Sequence, residues 1–209
     1  MIAFRDYEKQ IKKHRVLHIP AFVLEARQIH GFWGRNGSGK TMLFRAICGL
    51  IQPSAGTVTV FGETLGNEIS FPRDLGLLIE QTGFWPQLSG VENLRLLAGI
   101  KGKIGDDGIY AAAERIGLSK ADAERKYGAY SLGMKQKLAI AQAIMEKPAL
   151  LILDEPSNSL DDAAVEALWR IIREEKDRGA TVLVSSHHQS ELSLCDRVYR
   201  IDGGCIQEG

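Results

Sequence analysis

The sequence carries no surplus of charge: 26 Lys and Arg stand against 26 Asp and Glu in 209 residues. Chains built to hold nucleic acid present a basic face, so this balance weighs against a nucleic-acid partner. No apolar run comes near the roughly 20 residues that cross a bilayer as a helix. The N-terminal stretch MIAFRDYEKQIKKHRV is charged throughout and lacks the apolar centre of a secretion signal. The expectation is therefore a protein made and kept in the cytosol. The three cysteines, Cys48, Cys195 and Cys205, are odd in number and have no metal-ligand spacing. They read as idle thiols in a reducing compartment. Internal repeats and low-complexity linkers are missing as well, and residues 1–209 are expected to form one domain.

What is present is an ordered alternation of short strands and helices. Strands are expected over 15–24, where Pro20 interrupts the run, and over 29–33 (IHGFW). A helix is expected from about Lys40 to Leu50, with Gly49, Pro53 and Gly56 marking its end and the turn beyond. TVTVF at 57–61 and the apolar stretch 75–79 predict further strands. From Val91 to about Lys147 the spacing is helical and broken into pieces by glycines. In the last piece, Ser131 to Glu146, Ser131 is a suitable cap and Leu138, Ala141, Ile144 and Met145 share a face. Pro148 stops it. ALLIL at 149–153 is a continuous apolar run, the pattern of a strand buried on both faces. An amphipathic helix over 162–178 and a buried strand over 181–184 complete the reading, and the class is α/β with a mainly parallel core sheet.

Two motifs carry chemistry. Gly34-Arg35-Asn36-Gly37-Ser38-Gly39-Lys40-Thr41 fits G-x-x-x-x-G-K-[ST] at every fixed position, between an expected strand and an expected helix. Its glycines let backbone N–H groups turn inward on phosphates, Lys40 offers a positive point charge, and the Thr41 hydroxyl suits Mg²⁺. The positive end of the following helix, from Lys40 and Met42 onward, adds to the attraction. The second motif is the apolar strand ending in Asp154-Glu155. A carboxylate there can hold Mg²⁺, and Glu155 can polarise an attacking water. Together they predict a P-loop nucleoside triphosphatase using ATP and Mg²⁺.

A third element narrows the family. Tyr130-Ser131-Leu132-Gly133-Met134 precedes the acidic strand and opens a helix. It resembles the signature motif of ABC-type ATPases, usually LSGGQ, with Ser131 and Gly133 at the fixed Ser and second Gly. SNSLD at 157–161 resembles the D-loop, with Asp161 at its acidic position, and VSSHH at 184–188 resembles the switch-histidine strand, with His187 at the histidine. The resemblance extends over essentially the whole chain. It implies a P-loop NTPase core with a mainly parallel sheet, a small antiparallel β subdomain, and a helical signature subdomain over about 85–147. It further implies nucleotide contacts from Gly34, Asn36, Gly37, Ser38, Gly39, Lys40, Thr41 and Met42, and metal contacts from Thr41 and Asp154. Glu155, His187 and Lys40 would be catalytic. Ser131, Gly133 and Asp161 would serve ATP across the interface with a second ATP-binding subunit. The implied activity is ATP hydrolysis powering an integral-membrane permease subunit, from a peripheral position on the inner face of the cell membrane.

The sequence departs from the family at several positions. In the register of Leu75-Gly76, Pro86 and Glu92-Asn93-Leu94, the Q-loop glutamine position falls on Glu80; a shift of one makes it Gln81. A Glu here, Gly83-Phe84-Trp85-Pro86 after it, and the YSLGM signature resemble the subgroup that exports bacitracin-like and lantibiotic peptides. A carboxylate at 80 could join the metal set but adds negative charge beside the phosphates. Phe84 and Trp85 read either as the lining of a groove for a membrane subunit or as core. The aromatic that usually stacks on adenine has no match at its spacing, which falls on Ile11, and Tyr7 is the nearby candidate. Arg27 stands where the family has a turn glycine. Competing readings are a soluble ABC ATPase outside transport and an ATP-dependent regulator with weak hydrolysis.

Overall fold

The structure, a computed structural model, describes residues 1–80, 83–187 and 189–208. In chain order the strands and helices are β1 (Ile2–Ile11), β2 (His14–Leu24), β3 (Ile29–Trp33), α1 (Lys40–Ile47), β4 (Ala55–Val60), β5 (Glu63–Thr64) and β6 (Leu75–Leu78). Then follow α2 (Gly90–Lys101), α3 (Asp106–Arg115), α4 (Lys120–Ala123), α5 (Leu132–Ile144), β7 (Leu150–Leu153), α6 (Asp162–Asp177), β8 (Thr181–Ser186), β9 (Arg197–Asp202) and β10 (Cys205–Glu208). A six-stranded sheet has the order β10-β9-β3-β8-β7-β6, and a four-stranded antiparallel sheet the order β2-β1-β4-β5. In the larger sheet β9, β3, β8, β7 and β6 pair in parallel, and only β10 runs against its neighbour.

Side chains alternate across the central strands and feed two cores. Leu151 and Leu153 of β7 join Val182 and Val184 of β8 on the face covered by α2, α3, α5 and α6. Leu150, Ile152 and Leu183 point to the opposite face, where α1 and the antiparallel sheet supply Leu43, Phe44, Ile2 and Phe4. This two-sided burial is why β7 reads as an unbroken apolar run. It also fixes register, because a slip of one residue would exchange the two sets of side chains.

The N-terminal strand was not legible as one. Its alternation breaks at Asp6, which takes φ 47°, and pairing with β4 shifts between Arg5 and Glu8. The bulge turns Tyr7, instead of Asp6, inward beside Phe4, so a period-two reading fails. Pro20 does not interrupt β2. It lies opposite the bulge, outside the paired register, on the edge strand of its sheet, where the missing N–H is tolerated. Arg27 takes φ 61°, which accounts for the turn glycine expected there, and its N–H is held by Thr181 Oγ1 at 3.0 Å. Helix α1 stops at Ile47, short of Leu50, with Gly49 in the left-handed region at φ 75°. Among the described residues no helix is long and apolar enough to cross a membrane.

Candidate nucleotide site

The segment between β3 and α1 forms a tight loop, closed by the Ser38 N–H donating to Arg35 O at 3.1 Å. Gly37 and Gly39 adopt φ 79° and 113°, and Gly39 caps α1. These conformations strain any residue with a β carbon. Gly34 is needed for another reason: a β carbon there would lie 2.7 Å from Ser38 Oγ and closer still to the Ile201 carbonyl. The Lys40 ammonium is buried and donates to Gly34 O at 2.7 Å. Ser38 Oγ is buried without a hydrogen-bond partner, which fits a hydroxyl arranged for a phosphate oxygen.

The loop floors a cleft of about 980 Å³. Asp154 and Glu155 lie across from it at the end of β7. Asp154 Oδ2 accepts from Thr41 Oγ1 at 2.6 Å and Oδ1 from Ser185 Oγ at 2.5 Å. Burial raises the Asp154 carboxyl above the ordinary range, against the pull of the Ser185 and Thr41 hydroxyls. Asp154 and Thr41 thus set two oxygens side by side in a pocket where the carboxylate lacks full solvation, a donor set suited to a divalent cation. Among the described residues no group of three His, Cys, Asp or Glu could hold a metal unaided, so phosphate oxygens and water would complete the shell of Mg²⁺.

Glu155 occupies the left-handed region at φ 47°, a conformation that costs about 1–3 kcal/mol in a residue of this kind. Its N–H is held by Ser185 Oγ at 2.9 Å. The carboxylate reaches three neighbours: Lys40 Nζ 3.3 Å from Oε1, and Asn158 Nδ2 at 3.0 Å and His187 Nδ1 at 3.8 Å from Oε2.

The signature segment begins α5. Ser131 Oγ accepts from the Met134 N–H at 3.2 Å as its cap, and Leu132 is 69% exposed. A β carbon at Gly133 would come within 2.9 Å of Ser159 O, so the helix start and the SNSLD loop approach closely. Gln136 Nε2 donates to Pro156 O at 2.9 Å, and Lys137 pairs with Asp161 at 3.5 Å.

Comparison with known proteins agrees with this geometry. The family model described as ABC transporter matches residues 17–158. An uncharacterized ABC transporter ATP-binding protein of Bacillus subtilis, YybJ, is 43% identical over 208 residues, covering 99% of this chain and 95% of that protein. The chain belongs to the ABC transporter family. The bacitracin transport ATP-binding protein BcrA of Bacillus licheniformis is 41% identical over 184 residues, 87% of this chain and 58% of that protein. Among solved structures, an ATP-binding subunit of an ABC transporter matches with a TM-score of 0.89 at 27% identity, covering 100% of this chain and 89% of that one. The dimeric structure of the bacterial cassette MJ0796 shares the fold, with a TM-score of 0.90 at 21% identity and coverage of 100% and 97%. The chain is thus an ABC-type ATPase.

Against the family's pattern, the structure sorts the expected residues into groups. Asn36, Gly37, Ser38, Gly39, Lys40, Thr41, Met42, Glu80, Asp154 and Glu155 line the cleft, and Gly34, at the start of the loop, accepts from Lys40. Ser131, Gly133, Asp161 and His187 are not among the lining residues. Asp161 caps α6 through the Ala164 N–H at 2.8 Å, and that bond holds its carboxyl below the ordinary range. Glu80 takes φ 56° and pairs its carboxylate with Arg45 at 2.8 Å. Arg45 is a charge partner for Glu80 that sequence spacing gave no reason to choose. Gln81 and His188 lie outside the described residues.

The structure decides two readings that the sequence left open. Tyr7 cannot stack on adenine: its ring is wholly buried, edge-on to Phe4, and burial pushes its hydroxyl up to about 12. Arg15 and Val16 line the cleft instead. Phe84 does not line a groove, because it is buried against Tyr127, whereas Trp85 beside it is 48% exposed. Sequence reasoning also missed Asn158, Ser185 and Arg45, whose roles depend on chain segments meeting in space.

Proposed function

We propose that this chain is the ATP-binding and ATP-hydrolysing subunit of an exporter, working with a separate membrane permease from the inner face of the cell membrane. The observation that carries the proposal is the meeting of Lys40, Thr41, Asp154 and Glu155 at one cleft lined by a phosphate-type loop. Lys40 and the loop N–H groups bind the β- and γ-phosphates. Thr41 and Asp154 hold Mg²⁺, which supplies charge neutralisation on the phosphate oxygens. Glu155 orients and polarises the attacking water, and the adjacent His187 engages the γ-phosphate. Export is supported by similarity to bacitracin transport BcrA and, at 31% identity over 207 residues, to a Nod factor export ATP-binding protein of Burkholderia lata.

A second copy completes each site. The start of α5, where Ser131 and Leu132 are exposed and Gly133 follows, presents a helix N-terminus to an anion held by the partner. Exposed Trp85 is the position we assign to contact with the permease. Steady-state ATPase measurement of Glu155→Gln beside the wild type tests the reading: a loss of about 10²-fold or more is expected, and equal rates would sink the assignment.

A further inference from the structure

We propose that Glu191 is a positioning residue that holds the loop carrying Glu155 and the strand end carrying His187 in fixed relation. The inference rests on the roles proposed above for those two residues. Strands β7 and β8 are neighbours, but their paired register ends at Leu153 and Val184. The functional groups lie just past that point. Beyond the ladder, side chains link the two segments. Ser185 Oγ contacts Asp154 Oδ1 and the Glu155 N–H. Glu191 supplies the second link: its Oε2 accepts from Ser157 Oγ and from Ser186 Oγ, both at 2.8 Å.

The positions of those hydroxyls give the link its meaning. Ser157 is two residues past Glu155, and Ser186 immediately precedes His187. One carboxylate oxygen therefore braces both chain segments. Glu191 is itself anchored, because it lies in the short 3₁₀ turn Gln189–Leu194, whose Leu192 is fully buried. The brace joins charged to neutral groups, the stronger class of hydrogen bond. The distance it helps set, 3.8 Å between His187 Nδ1 and Glu155 Oε2, is one on which catalysis depends steeply, since a misplacement of about 1 Å can cost on the order of 10²-fold in rate.

The test uses the purified chain, with kcat and KM for ATP measured separately, trinitrophenyl-ATP affinity in chelator, and Tm. Glu191→Ala is expected to lower kcat by about tenfold or more while trinitrophenyl-ATP affinity stays within about twofold. Glu191→Gln keeps an oxygen that can accept both hydroxyls and is expected to stay within about threefold of wild type. Ser157→Ala removes one arm and is expected to lower kcat severalfold, and adding it to Glu191→Ala should bring no further loss. An unchanged kcat in Glu191→Ala overturns the proposal, as does a loss of nucleotide affinity and Tm in step with kcat, which marks a purely structural role. If Glu191→Ala does not fold, Ser157→Ala decides, and a wild-type kcat there overturns it. Glu155→Gln is run alongside. If that variant turns over like wild type, the functional reading has failed; if it is inactive while Glu191→Ala is unaffected, only the brace has.

Discussion

Gly34→Ala separates the need for space from the need for an unusual backbone conformation in the phosphate loop. Gly34 is buried, and an added β carbon would sit 2.7 Å from Ser38 Oγ and nearer still to the Ile201 carbonyl. Carbon–oxygen contact requires about 3.3 Å, so something must retreat by more than half an ångström. Ile201 is in β9, buried and paired with β10, and it resists. The loop therefore moves, carrying the carbonyl that receives Lys40 at 2.7 Å and the Ser38 hydroxyl with it. Overpacking of this kind costs about 1–3 kcal/mol of stability, and displaced phosphate ligands should cost at least tenfold in nucleotide affinity. Trinitrophenyl-ATP titration and thermal unfolding of Gly34→Ala measure both. Gly37→Ala is the control, because a β carbon there meets nothing within 4 Å and the penalty is the left-handed φ of 79° alone. If Gly34→Ala binds nucleotide as wild type does, or no worse than Gly37→Ala, the steric argument is refuted.

Asp154→Asn should raise Tm at pH 7 in the absence of Mg²⁺ while abolishing hydrolysis. Burial raises the Asp154 pKa on folding, so the ionised form penalises the folded state above that pKa, and the penalty disappears as pH falls towards the unfolded value of 3.8. Unfolding across pH 4–8 should therefore show the variant's advantage shrinking in acid, and an advantage that grows in acid would contradict the assignment. Arg45→Ala should weaken ATP binding severalfold by leaving the Glu80 carboxylate uncompensated at the cleft, with stability changed by less than about 1 kcal/mol because the pair is largely exposed. Adding Glu80→Gln should restore affinity, as isothermal titration would read. Trp85→Ala should leave stability within about 1 kcal/mol of wild type and reduce co-purification with the permease; undiminished co-purification removes Trp85 from the proposed interface.

Legibility in the sequence followed how local each determinant is. The phosphate loop and Asp154-Glu155 could be read because their chemistry is carried by adjacent residues with fixed backbone needs. Strand β7 could be read because both of its faces are buried. Tyr7 could not: a bulge at Asp6 redirected it, and a bulge changes which side chains face inward without changing composition. The Arg45–Glu80 pair, the Ser185 contacts and the Glu191 brace join residues from separate segments that only the folded sheet brings together. Asp161, read through family resemblance as an interface residue, caps α6 and pairs with Lys137 within the chain, contacts that spacing alone does not reveal.

The contacts at the start of α5 have a mechanical consequence. With 13 residues, this helix is a rod of about 20 Å, anchored in the core by Leu138, Ile140 and Ile144. Its leading end meets Ser159 at Gly133, Pro156 at Gln136 and Asp161 at Lys137, all on the stretch that follows Glu155. A tilt of about five degrees about the far end would carry the leading end by roughly 1.7 Å. That is more than the tolerance of a reacting geometry. A displacement of the helix start is therefore passed directly to the stretch that follows Glu155, the residue proposed above to polarise water.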